Sequence, residues 1–370
     1  MNIRVFTDLR FTTHPSPTGV SKHILQMASG LNQIQDNNVS VLAARDQTSH
    51  HRSGCLSFLE AREMPISWKM SELVWTLTGY PYADRWCGNP DWLYCPKNDF
   101  IPVQKSRVAV TIHGAHELDP QLPQSGSLSA RLIRLRRITA YGRMLRQASL
   151  VLTVSEFLKK QMIDWFKVPE DKFCVVGNGV EQEFFRAAYR PRGASGQPSD
   201  RPFVICVGGL NELDGGDRII RVAKVLRQQT PDLKILVAGC DHNPVLTAKA
   251  SQLHNVQLLG YVGSERLALL MRDALALFYP TRYETFGIAA AEAMAVGTPV
   301  VTCRSTAVPE ILGAAGIYTA ENSPGEMAGV LQELLNNETL RLHHANVGLE
   351  RAVKFTWKAC LQRLSKALSR

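Results

Sequence analysis

The chain has 370 residues, 45% hydrophobic and 8% aromatic, with a formal charge of +9. That length exceeds one ordinary core and predicts two α/β domains, while the charge requires an anionic partner without identifying it. No run reaches the ~18–20 apolar residues of a membrane span, and Met-Asn-Ile-Arg-Val-Phe at the start reads as a strand rather than a leader, so a cytoplasmic protein is expected.

Short β-rich runs alternate with helical stretches, the pattern of parallel sheets covered by helices. Strands are expected at 2–7, 38–44, 92–95, 107–112, 149–154 and 173–177. After the first, Thr18-Gly19-Val20-Ser21-Lys22-His23 opens a helix. Gly19 lets the backbone approach a phosphate, and Lys22 is either a phosphate contact or an ordinary exposed lysine. Residues 46–90 break the alternation. Trp68, Trp75 and Trp86 suggest an elaborated helix–loop in which aromatics serve packing. His113 ends the 107–112 strand at its carboxyl edge, as a structural imidazole or a ligand contact.

Residues 131–146 interleave Arg131, Arg134, Arg136, Arg137, Arg143 and Arg146 with apolar residues. This predicts a basic amphipathic helix, read either as a solvated face or as a contact for an anionic membrane surface or acceptor. No recognition motif accompanies the charge, so nucleic acid is not expected. The eight cysteines form no C-x-x-C pair and read as buried thiols of a reducing compartment. No His/Cys/Asp cluster has metal-ligand spacing, and no cofactor is called for. Residues 187–202 lack apolar periodicity, hold three prolines, and predict a linker between domains at 1–186 and 203–354. In the second domain strands are expected at 203–208, 233–238, 255–259, 275–279, 299–303 and 316–318. Each domain is expected to be doubly wound, with a ligand cleft between the carboxyl ends of the two sheets.

The densest signal is residues 279–300. Glu284 stands in a turn, and Glu292 comes after seven intervening residues inside a helix that begins at Phe286-Gly287-Ile288. Carboxylates accept hydroxyl hydrogen bonds and a helix start favours negative charge, so the stretch suits polyols and phosphates. Gly297-Thr298-Pro299 stops that helix.

Tyr-Pro-…-Tyr-Glu-…-Phe-Gly-…-Glu-Ala-Met-Ala-Val-Gly-Thr-Pro-Val-Val, succeeded by Pro309-Glu310-Ile311, resembles the signature of the group 1 (family 4) retaining glycosyltransferases of GT-B fold. Thr18–His23, Val110-Thr111-Ile112-His113-Gly114, Leu152–Phe157, Val176-Gly177-Asn178-Gly179-Val180, Leu259–Val262 and Phe355-Thr356-Trp357 resemble further family elements in order. The resemblance implies two Rossmann-like domains, with the closing segment 355–370 packed on the N-terminal one. It implies a nucleotide-diphosphate sugar donor, a glycan or lipid-linked acceptor, and retention without metal. Glu284 would hold donor-sugar hydroxyls, the N–H groups of Phe286, Gly287 and Ile288 would donate to that sugar, and Glu292 would grip the ribose. His113 would contact sugar or leaving group, and the diphosphate would take the acceptor proton.

One segment departs from that pattern. The family carries an arginine and a lysine after the first strand of the second domain, and here Gly209 and Asp214 stand in their places. A charge-stabilising donor is typically worth ~3–4 kcal/mol in the transition state. Three readings are open. Arg218, Lys22 and Arg282, with N–H groups of the Gly215-Gly216 turn, substitute for the missing cations. Alternatively, the donor is held differently, or the chain only binds a nucleotide sugar or carbohydrate. Restoring arginine and lysine at 209 and 214 is then expected to raise donor affinity. A sugar-nucleotide epimerase on a similar fold is a further alternative that the motif disfavours.

Overall fold

Every strand pair runs parallel in the residues described by the computed structural model, which are 1–14, 18–120, 122, 127–196, 202–240 and 243–370. The first sheet contains β1 (Asn2–Phe6), β2 (Asn38–Ala44), β3 (Glu60–Met64), β4 (Trp92–Cys95), β5 (Arg107–Ile112), β6 (Leu150–Thr153) and β7 (Phe173–Val175). Its order is β3-β2-β1-β4-β5-β6-β7. The second contains β8 (Phe203–Val207), β9 (Lys234–Ala238), β10 (Val256–Gly260), β11 (Leu277–Tyr279), β12 (Val300–Cys303) and β13 (Gly316–Thr319), ordered β10-β9-β8-β11-β12-β13. Central strands covered on both faces become continuous apolar runs, as in the fully buried β4 and β6.

β3 has no counterpart among the expected strands. Its sequence is Glu-Ala-Arg-Glu-Met, and of these only Met64 is buried. An edge strand needs no apolar run, and charges on it discourage pairing with other chains. It lies within the irregular 46–90 segment.

Four helices carry or brace the candidate residues of the first unit. α1 (Gly19–Gln33) is capped by the Thr18 hydroxyl, which accepts from Ser21 N–H. Its Ile24, Met27 and Leu31 are fully buried, each worth roughly 1.5–3 kcal/mol. α2 (Trp68–Thr78) turns Trp68 and Trp75 inward. α3 (Leu128–Gln147) contains the basic segment, but it is not amphipathic in the expected sense. Only its second half buries apolar groups, Tyr141, Met144 and Leu145, while Leu132, Ile133 and Leu135 stay exposed among the arginines. The last helix, Trp357–Leu368, lies in the first unit, where Cys360, Leu364 and Leu368 join the core of Ile24 and Trp92. Trp92 Nε1–H donates to the Leu368 carbonyl at 2.9 Å.

The chain divides into Met1–Asn178 with Trp357–Arg370, and Gly179–Thr356. The division falls at Asn178/Gly179 rather than within 187–202. α4 (Gln182–Ala187), with Phe184 and Ala187 buried, and the described part of the expected linker, residues 187–196 and 202, are in the second unit; residues 197–201 lie outside the described residues. In the second unit, α5 (Gly216–Gln229) buries Ile219, Ile220, Val222, Ala223 and Leu226, and α6 (Ile288–Ala295) is buried from Ala290 to Ala295. The closing helix Trp357–Leu368 is α7. No helix among the described residues is long and apolar enough to cross a membrane. All eight cysteines are free thiols. Cys240 is exposed, and Cys55 and Cys174 are half-buried.

Candidate functional site

β8 and β11 are neighbours in the second sheet, although the chain leaves them toward opposite edges. Ligands of open parallel sheets sit beyond the carboxyl ends at such a switch point. Three loops meet there, 208–215 after β8, 280–287 after β11 and 304–307 after β12.

Glu284 is held by its neighbours on both main-chain sides. The Thr306 hydroxyl accepts from Glu284 N–H and donates to its carbonyl oxygen, each at 2.7 Å. Thr306 has φ +47, a left-handed conformation that is strained for a β-branched residue and characteristic of functional turns. The Glu284 carboxylate accepts from Thr285 N–H at 3.0 Å, from Phe286 N–H at 3.3 Å, and from the Tyr279 hydroxyl. Phe286 N–H, expected to face a sugar, thus donates to Glu284 in this structure. Gly287 caps α6 in the left-handed region, φ +91, and no side chain caps the helix start that continues through Ile288. Glu292, within α6, is only 3% exposed. Burial, then the negative charges of Glu284 and Asp214, push the Tyr279 phenol well above its usual pKa. Tyr279 opens the sequence motif, but only the fold reveals it as a donor to Glu284.

Two of the three cations proposed as substitutes, Arg218 and Arg282, are already engaged. Arg218 is 3% exposed, and its guanidinium donates to the carbonyls of Pro280 at 3.0 Å and Thr281 at 3.3 Å and to Glu321 at 2.9 Å. It braces the 280–284 turn from beneath rather than presenting charge at the surface. Arg282 forms a two-pronged pair with Asp217, 2.5 and 2.8 Å, and donates to the Glu212 carbonyl at 2.8 Å. Hydrogen bonding to Arg282 holds the Asp217 carboxyl below the usual range. The N–H groups of Gly215 and Gly216 donate to Glu212 and Asn211 carbonyls, so this turn offers them to its own backbone instead of to a phosphate.

Gly209 is not simply an arginine position without its side chain. Its φ is +82, and a Cβ there would overlap the Cys240 carbonyl oxygen. Gly208 and Gly209 both donate to the Ala238 carbonyl, 3.0 and 3.1 Å, and Gly239 in turn leaves no room for a Cβ against Gly209. The loop after β8 therefore lies against the end of β9 with backbone touching backbone. Asp214, at the lysine position, accepts from Asn211 Nδ2.

In the first unit, Gly19 and Lys22 occupy the first turn of α1, as expected from the sequence. His113 comes directly after β5. Its Nε2–H donates to the Pro96 carbonyl at 2.8 Å, and its ring meets His23 edge-on at 4.6 Å. Sequence reasoning assigned His23 no role, yet it is fully buried at the centre of a relay. Its Nδ1–H donates to Asn178 Oδ1 at 2.9 Å, and its Nε2 accepts from Tyr94, which pairs with Thr111. Asn178 lies 155 residues away, at the last position of the first unit's main segment. Burial holds both imidazoles neutral, His113 at about 4 and His23 well below the usual range. No three His, Cys, Asp or Glu side chains among the described residues converge as metal ligands.

Two family models match, glycosyl transferases group 1 over residues 190–351 and glycosyltransferase family 4 over 17–184. The chain is 31% identical over 209 residues to an uncharacterized glycosyltransferase of Methanocaldococcus jannaschii, a match covering 53% of each chain, about half the relative's length. It is 24% identical to O-antigen chain mannosyltransferase B of Escherichia coli, over 85% of this chain and 82% of that one. In fold it is similar to Anabaena HepE, a structure solved with UDP and glucose, at TM-score 0.72 and 17% identity over 100% of this chain and 99% of that one.

Proposed function

Because this chain belongs to the glycosyl transferases of group 1, we propose that it moves a sugar from a nucleotide-diphosphate donor to a glycan or lipid-linked acceptor, with retention of configuration and without metal. The observation that carries this reading is the pair Glu284 and Glu292 on the turn and helix beyond β11. As the donor enters, its sugar hydroxyls replace the N–H groups of Thr285 and Phe286 on the Glu284 carboxylate. Phe286 N–H, with those of Gly287 and Ile288, then donates to the sugar. Glu292 holds the ribose diol through charge-assisted bonds worth roughly 1.5–3 kcal/mol each.

His113 acts as a neutral imidazole: with its Nε2–H donated to the Pro96 carbonyl, Nδ1 is the nitrogen that can accept a hydrogen bond, without adding charge. Gly19 and Lys22 serve the diphosphate. Arg218 and Arg282 serve it indirectly, by fixing the turn that carries Glu284. In front-face attack the departing diphosphate takes the acceptor proton, so no second carboxylate is needed as nucleophile.

The test is a thermal-shift panel of nucleoside diphosphates and their sugars, beginning with UDP, on wild type and Glu292→Ala. A ligand at 100 times its Kd stabilises by ~2.7 kcal/mol. One nucleotide should shift the wild type, and Glu292→Ala should bind it at least tenfold more weakly. A folded protein that responds to no nucleotide overturns the reading.

A further inference from the structure

His23 stands on α1, one residue beyond Lys22, fully buried, and no step of the proposed reaction uses it. The protons of its relay can be placed in only one way. Asn178 Oδ1 is an acceptor, so the His23 nitrogen facing it, Nδ1, carries the hydrogen. Burial keeps the ring neutral, which leaves Nε2 to accept from the Tyr94 hydroxyl at 3.4 Å. The Tyr94 oxygen then accepts from the Thr111 hydroxyl at 3.2 Å.

His113 has the opposite tautomer. The Pro96 carbonyl can only accept, so the His113 hydrogen is on Nε2 and the free acceptor is Nδ1. Two neighbouring imidazoles are thus held in opposite tautomers, with ring centroids 4.6 Å apart and planes at 86°. Packing alone demands neither arrangement. A leucine would fill the volume of His23 without polar groups to satisfy.

The anchors of His23 lie at the two places where the chain passes between the units, Asn178 to Gly179 and Thr356 to Trp357. Asn178 holds Nδ1, and the Trp357 indole meets the same ring edge-on at 5.9 Å. Trp357 Nε1–H is buried with no hydrogen-bond partner among the described residues, so ring contacts seat the indole. Just beyond, in the second unit, the two crossing segments are joined. Val180 N–H donates to the Phe355 carbonyl at 2.8 Å, and Val180 pairs in parallel with Thr356. A shift of one crossing therefore carries the other with it and reaches His23 from two sides. Thr111, at the far end of the relay, is two residues before His113 on the same strand-and-loop path.

We propose that His23 is a positioning residue for His113. It holds that ring so that Nε2–H stays on Pro96 and Nδ1 stays the acceptor, and it transmits to the ring the position of both chain crossings. The bearing on catalysis rests on the glycosyltransferase reading, whereas the coupling of the two rings does not. Among the described residues, the titratable groups facing the pair are Tyr94 and, against His113, Lys97. Near Tyr94 lie the Cys95 and Cys360 thiols, which burial keeps protonated.

The test is nitrogen NMR of the full chain with isotope-labelled histidine, in which His23→Gln and His113→Gln spectra assign the two rings. At pH 7 the wild type should show His113 as the Nε2–H tautomer and His23 as the Nδ1–H tautomer. Asn178→Asp keeps the shape of the acceptor and adds a negative charge, so His23 should titrate at least one pH unit higher. The His113 nitrogens should move at that same midpoint. In His23→Gln, His113 should lose its single tautomer, while a thermal shift with UDP is retained in both variants.

Like tautomers in the wild type overturn the proposal. So does a His113 blind to the His23 titration in Asn178→Asp, or one that keeps its tautomer in folded His23→Gln. Should His23→Gln fail to fold, Asn178→Asp decides alone. Coupled rings in a protein that binds no nucleotide leave this proposal standing and overturn the enzymatic reading. Nucleotide binding with uncoupled rings does the reverse.

Discussion

In the turn after β11 side chains set the geometry, whereas in the loop after β8 backbone contacts set it. Glu284 is positioned by Thr306, Tyr279 and, from beneath, Arg218, each removable by substitution. Gly209 and Gly239 lie so close to neighbouring main chain that no other residue fits without moving it, and a Cβ on Gly208 would meet the Asp214 carboxylate. A lost charge in the first kind of region can be restored by restoring a side chain. In the second it cannot, because the space has been given to the main chain.

The strongest way to break this distinction is Gly209→Arg combined with Asp214→Lys. Left-handed strain and overlap with the Cys240 carbonyl should cost about 3 kcal/mol or more. The urea midpoint should fall with no gain in UDP affinity. An unchanged midpoint with tighter UDP binding would show that the loop is only a family loop lacking its cations.

A similar loss, about 3 kcal/mol, is expected of Arg218→Met, which strips the Pro280 and Thr281 carbonyls of a buried charged donor, while Glu321, half-exposed, passes to water. Donor affinity should fall with it, since the turn carrying Glu284 loses its brace. Full stability with normal donor binding would place the brace elsewhere.

The imidazole pair of the first unit allows the comparison to be extended by pH. His113 is lowered from 6.5 to about 4, chiefly by burial, so in that window the unfolded chain binds the proton and the native one does not. Stability is therefore complete above about pH 6.5 and declines as pH falls towards 4. At roughly 1.4 kcal/mol per pH unit, the loss approaches about 3 kcal/mol. His23 shifts in the same direction and adds to it. Urea midpoints at pH 7 and 5 should differ, and His113→Gln should flatten the difference. Identical slopes in wild type and variant would remove His113 as its source.

The smallest effect is expected for Tyr279→Phe. It removes one charge-assisted donor to Glu284, which keeps its two N–H partners, so stability should fall by roughly 1.5–2 kcal/mol. A loss of several kcal/mol would mean that the phenol, not the turn's backbone, holds the carboxylate.

Legibility in the sequence divides along the same line. Central strands such as β4 and β6 are visible because burial on both faces demands apolar runs. β3 is not, because its edge position leaves Glu60, Arg62 and Glu63 in solvent. Glu284 and Glu292 are legible because they lie on one local turn-and-helix motif. The commitments of Arg218 and Arg282 are not, since they depend on Glu321, 103 residues away, and Asp217, 65 away. The displacement of arginine by glycine at 209 could be read, but not its cause. That cause is the end of β9, which no local pattern brings beside β8.

The return of α7 to the first unit has a consequence for synthesis. Residues 179–356 are contiguous, so the second unit has all its chain available once Thr356 has emerged from the ribosome. The first unit has its sheet early but lacks Cys360, Leu364 and Leu368, and Trp92 lacks its carbonyl partner, until the last helix emerges. The domain made first is the one completed last. Until then the groove on α1, where Gly30 admits Leu361, is an apolar surface open to chaperones.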